Sequence, residues 1–267
     1  MLRFGTLLIL WFAAFFPIYP QMLKTWLNHS DNSHGMIVPL VSVYFLWTNR
    51  AELAEAKISS MNLGAYVLFF SLLVYLVSYA GSVAFISRCM MVSSLIGLVL
   101  FCLGREFFSK TAFPILFLLF MIPIPETVVN LVSFPLQLFA TKVSTSLIQL
   151  FSIPAYREGN MVYFANTQLE VAEACSGIRS LVSLAMIAVI FAHLLRRGWF
   201  IGAILVLSAV PFSILANILR VTGTGLLAHT FGSRIALGFL HDISGFAVFL
   251  FGMSMLFAEY RLLRNAL

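Results

Sequence analysis

Three side chains in this sequence are equipped for acyl-transfer chemistry: Cys175 in EVAEACSGIRSL, Arg220 in ANILRV and His241 in FLHDISGF. Together they supply a nucleophile, an oxyanion stabiliser and a proton carrier. Cys175 stands where a long apolar run begins, and the unpaired amides and dipole of a helix N-terminus favour a thiolate there. Arg179, one turn later, adds positive charge to the same face. Each residue also has a plain reading. Cys175 reads equally as a small buried residue, Arg220 as a snorkelling interfacial anchor, and His241 as a capped interfacial histidine. The neighbours supply supporting candidates. Glu170 and Glu173 can cap the helix start, orient Arg179 or receive a basic substrate group. Asn217 precedes Arg220 by three positions, shares its helix face and is suited to fix the guanidinium. Arg157 reads either as a partner for an acidic substrate residue or as a solvated charge.

The elements that must position these residues follow from composition. The chain has 267 residues, 61% hydrophobic and 10% charged, against about a quarter charged in soluble domains. Apolar runs at about 5–20, 36–48, 62–80, 83–103, 111–124, 175–195, 199–220 and 241–260 are candidate bilayer spans, the second and fifth being short. The expected fold is therefore all-α: a polytopic membrane bundle of about eight helices, one domain over 1–267 with no separate soluble part. The first run has a weak basic start and no small-residue cleavage site before Gln21, so it reads as a retained helix rather than a signal peptide. Basic clusters at 49–57, 105–110 and 196–197 and the tail with Arg261 and Arg264 all fall in the cytoplasm if both termini do. Lys24, Arg88 and Lys142 then lie near the outer face. The Pro-rich MIPIPE turn at 121–126 and the polar stretch 154–170 are expected outside, with 126–153 between them as an interfacial amphipathic segment. In this topology Cys175, Arg220 and His241 meet at one outer boundary, although the orientation was set without them.

Several function classes recede. The net charge of +6 is scattered or sits at helix ends, which argues for orientation in a bilayer rather than nucleic-acid binding. Cys89, Cys102 and Cys175 form neither a disulfide framework nor a CxxC site. HSDNSH at 29–34 brings His29, Asp31 and His34 close in sequence, but no further ligand pattern supports a metal, and a solvated loop is expected. His193 reads as interfacial. His229 and Arg234, in the connector 221–240, can line a groove but read more simply as loop residues. No metal or other cofactor is expected. HExxH and GxSxG are absent from the sequence. A non-enzymatic transporter or assembly factor is the competing class, but a carrier places its charges near the midplane and often shows repeats with broken helices. Here the informative residues gather at one face and no repeat is visible.

The motifs MIPIPE (121–126), YREGN (156–160), EACSGIRSL (173–181), PFSILANILRV (211–221) and HDISG (241–245) resemble, in order and spacing, those of the exosortases, bacterial relatives of the archaeosortases. The resemblance runs from about residue 20 to 260. It implies a membrane cysteine protease or transpeptidase with Cys175 as nucleophile and Arg220 and His241 as its essential partners. It implies as substrates exported proteins with a C-terminal signal: a short motif, often Pro-Glu-Pro-like, then a membrane helix and a basic cluster. Cleavage near the motif through a thioester, at the outer face of the cytoplasmic membrane, would pass the new C-terminus to an acceptor or to water. Some members carry an additional soluble C-terminal domain, which is not expected here.

Overall fold

The computed structural model describes residues 2–165, 167–171, 178–232 and 239–265, and these divide into two compact units, Met1–Pro125 and Glu126–Leu267. Among the described residues five helices are long and apolar enough to cross a membrane, or six if one bent pair counts as a single span. Among the described residues helices of shorter length lie over the other apolar runs, and the protein is an all-α membrane protein.

In the first unit α1 (Leu2–Ala14) and α2 (Ile18–Asn28) are that bent pair. They meet at 63°, where Pro17 and Pro20 withhold amide donors from the ladder. A 3₁₀ helix, Ser30–Met36, leads into α3 (Ile37–Thr48) and α4 (Arg50–Ala54). The long pair α5 (Asn62–Ala80) and α6 (Ala84–Cys102) matches its apolar runs closely. The two pack backbone to backbone, because a side chain at Gly64 would meet Gly97 and Phe101, and one at Gly97 would meet Leu68. Ser71 and Ser93 share a hydrogen bond of 2.7 Å across this seam, and Ser78 and Ser87 one of 2.9 Å. Then follow α7 (Arg105–Phe117) and a 3₁₀ turn, Leu118–Met121. Two of the basic connectors lie together: Lys110 Nζ donates to the Glu52 carbonyl at 2.8 Å, and Ser59 N to that of Leu103 at 3.2 Å. That is the same-side placement their charge suggested.

The second unit opens with α8 (Glu126–Leu150), a single helix of 25 residues. Its polar stripe does not face outward, as an interfacial amphipathic segment would place it. Its polar residues Ser133, Gln137, Thr141, Ser144 and Thr145 are buried, while Leu131, Phe134 and Phe139 face outward. Thr141 and Thr145 return their hydroxyls to the helix's own carbonyls, and Ser144 Oγ donates to the Ile218 carbonyl at 3.1 Å. A polar stripe turned inward and an apolar one outward is the arrangement a bilayer selects, and α8 is long and apolar enough to cross. Its ends are about 36 Å apart at 1.5 Å per residue.

The stretch 155–170 is not an irregular loop. It forms an antiparallel sheet of β1 (Ala155–Glu158), β2 (Met161–Phe164) and β3 (Gln168–Glu170), in that order. Glu158 pairs with Met161 across a two-residue loop. Gly159 there has φ +59°, the positive value that a tight hairpin asks of its first central residue. The bundle proper is α9 (Ile178–Leu195), α10 (Trp199–Phe231) and α11 (Phe239–Asn265), around a core of Leu184, Ala188, Leu205, Ala209 and Leu256. Arg197 donates to the Arg264 carbonyl at 3.1 Å, which puts the Arg-Arg turn and the tail at one end. Helix α10 runs eleven residues beyond Arg220, so residues 221–231 are helix where a connector was expected.

Candidate functional site

Helix α10 is the ruler along which the candidate residues are placed. It lies antiparallel to α11. Near the Arg-Arg end Ser208 Oγ donates to Glu259 Oε1 at 2.7 Å. Further along, a β-carbon at Gly252 would lie 3.8 Å from Ala216 Cβ. Furthest along, the Arg220 guanidinium lies over Gly245, where a β-carbon would sit 3.4 Å from Nη2 and 3.6 Å from Cζ. A side chain larger than a methyl group at position 245 would meet the guanidinium. Arg220 is half-buried, with Nε shielded from solvent. Position 241 is four residues before Gly245, one turn earlier on α11. The helix pair thus carries the Arg220 guanidinium to within one helical turn of position 241.

The same level of α10 receives the chain on both sides of Cys175. Val171, just after β3, is buried against Val221 in a cluster with Ile148, Val162, Phe164 and Leu169. Asn160, from the hairpin loop, grips Val171 twice. The Val171 amide donates to its carbonyl at 2.9 Å, and its Nδ2 donates to the Val171 carbonyl at 3.3 Å. Downstream, Leu184 on α9 packs on Gly252 at the level of Ala216. Ile178 stands six residues earlier, about 9 Å nearer the sheet end, which is the level of Arg220 to Thr222. Cys175 and Glu173 lie outside the described residues. Arg179 and His241 are placed by backbone, in the first turns of α9 and α11.

The supporting candidates separate. Asn217 is buried and lines a small cavity with Leu136, Ala140, Leu181 and Ser213, where α8, α9 and α10 meet. Arg157 donates from Nη1 to the Gly159 carbonyl at 3.0 Å, bracing the hairpin loop. Glu170 is exposed at the end of β3. His229 is no loop residue: it lies in the last turn of α10, its ring 5.9 Å from that of Phe164 on the sheet. Arg234 lies outside the described residues. His29, Asp31 and His34 flank or occupy the 3₁₀ helix rather than a solvated loop. Burial holds the His34 imidazole below the ordinary value, against the opposing pull of the Asp31 and Phe120 backbone. Among the described residues no group of three or more His, Cys, Asp or Glu side chains is placed to hold a metal ion.

Two residues of the site escaped the sequence reading. Asn160 and Gly245 both lie in quoted motifs, but their work is visible only in contacts. The signal for Asn160 was there: a Gly-Asn pair between AYRE and MVYF is a hairpin loop pattern.

No curated protein and no solved structure matches the chain. A sequence profile described as transmembrane exosortase (EpsH type) matches residues 26–258, which includes α10, the sheet and the start of α11. With a match over most of its length, this chain belongs to the transmembrane exosortase family, membrane-embedded enzymes that process the sorting signals of exported proteins.

Proposed function

We propose that this protein is a cysteine protease or transpeptidase that cleaves a C-terminal signal of short motif, membrane helix and basic cluster from exported proteins. The observation that supports this most is the common level on α10. The Arg220 guanidinium, the α11 turn bearing His241 and both flanks of the Cys175 segment all lie there. The Cys175 thiolate attacks the scissile carbonyl carbon, and the oxyanion that forms is held by Arg220. The C–N bond then breaks, His241 protonates the departing amine, and a thioester joins Cys175 to the substrate's new C-terminus. Water, an amine or a hydroxyl, deprotonated by His241, attacks that thioester and releases the thiolate. Asn160, through Val171, positions the chain that enters the nucleophile segment. Arg179 supports the thiolate, Glu173 faces the substrate, and Arg157 acts through the hairpin loop it braces.

In this reading the Arg-Arg turn and both termini are cytoplasmic, and the sheet and the site face the exterior of a bacterial cytoplasmic membrane. A tail-anchored substrate presents its motif at that same boundary. The test is processing of a tail-anchored reporter in membranes. Cys175→Ala is expected to abolish cleavage with unchanged membrane abundance, and His241→Ala to slow both formation and loss of the acyl-enzyme. Cleavage by Cys175→Ala at the wild-type rate would overturn the assignment.

A further inference from the structure

We propose that the first unit carries a phosphate-binding site at the α5–α6 turn, separate from the processing chemistry, and that its ligand is a phospholipid headgroup. A cavity of about 310 Å³ opens there, lined by Gln21 of α2, Ser78 and Tyr79 of α5, Ser82 of the turn, and Ser87 and Arg88 of α6. Its volume is at the lower end of the range of small-ligand sites. Arg88 is half-buried, and its Nε is shielded from solvent with no hydrogen-bond partner among the described residues. A buried guanidinium donor left unmatched is costly, and none of the lining residues is acidic. The cavity therefore presents a positive charge and no counter-charge.

The other donors narrow the choice. Ser78 and Ser87 are committed to each other and to the carbonyls of Tyr75 and Val83. That leaves the forked donors of Arg88, the exposed amide of Gln21 and the exposed hydroxyl of Ser82 to meet a ligand. A planar fork flanked by neutral donors suits a tetrahedral oxyanion. The first turn of α6, with Ala84 on the cavity wall, adds the favourable end of a helix dipole. The surroundings favour a lipid as its source. The cavity lies at the end of two membrane-length helices, where headgroups lie, and Tyr79, Val83, Phe85 and Ile86 beside it are exposed apolar surface for acyl chains. In the proposed orientation Arg88 also stands on the side where basic residues are disfavoured, which a bound anion would offset.

Native mass spectrometry of the delipidated full chain tests this with phosphatidylglycerol, with diacylglycerol, and with inorganic phosphate as competitor. Wild-type protein is expected to hold one phosphatidylglycerol in preference to diacylglycerol. Arg88→Gln should weaken it by about ten-fold or more, as expected for a lost charged hydrogen bond, and Arg88→Lys should retain part of the binding. Competition by inorganic phosphate at millimolar concentration would keep the site and assign it to soluble phosphate. If Arg88→Gln does not fold, the surface pair Gln21→Leu and Ser82→Ala supplies the reading, with a loss of several-fold expected. Equal retention of phosphatidylglycerol by wild type and variants, or equal binding of diacylglycerol, overturns the proposal.

Discussion

Arg220 does two things that a lysine cannot do together: it carries charge and spreads it over a flat fork that fits on Gly245. Arg220→Lys is therefore expected to insert and fold normally. It should lose most processing, by a factor of roughly 10² to 10³, as for a lost oxyanion donor. Near-normal turnover in a membrane assay would return Arg220 to the role of interfacial anchor. Gly245 gives a second, graded test. A methyl group there meets Nη2 at 3.4 Å, an ordinary contact, and alanine raises helix propensity by about 1 kcal/mol. Gly245→Ala should keep most activity with equal or better thermal stability in detergent. Gly245→Leu must displace the guanidinium and is expected to lose processing at unchanged abundance. If Gly245→Leu keeps full activity, the guanidinium does not act from the place where it lies.

At the scale of elements, helices α5 and α6 were legible because a continuous apolar run of about 20 residues has few other uses. Helix α8 was not, because Ser133, Gln137, Thr141 and Ser144 recur at helical spacing and look like a water-facing stripe. They are instead the stripe that packs on α10. Sequence periodicity reports two faces but not which one meets the surroundings. The sheet was missed because strands of three and four residues carry too few alternations to stand out within a polar stretch. The candidate triad rests on residue types and motif order, whereas the contacts of Asn160 and Gly245 have no sequence periodicity. The element account makes a labelling prediction. In a chain whose native cysteines are replaced, exposed Glu158→Cys, beside the hairpin loop, should react in whole cells with an impermeant thiol reagent. Exposed Glu55→Cys, in the basic connector, should react only after permeabilisation. The reverse pattern inverts the proposed orientation.

On the scale of the whole molecule, the chain belongs to a family that processes exported proteins in the membrane. Its second unit turns polar groups inward along α8 and apolar rings outward. It holds α11 to α10 at two levels, by Ser208–Glu259 near the Arg-Arg turn and by Arg220–Gly245 near the sheet. In the proposed mechanism a covalent intermediate at the sheet end needs a fixed oxyanion stabiliser and a fixed proton carrier. The central claim is that intermediate, and mass spectrometry of the enzyme incubated with a tail-anchored substrate tests it directly, with and without hydroxylamine. The account predicts an adduct of the substrate's new C-terminus on the peptide containing Cys175, lost on hydroxylamine treatment and longer-lived in His241→Ala. A processing-competent enzyme in which no hydroxylamine-sensitive adduct maps to Cys175 would contradict it.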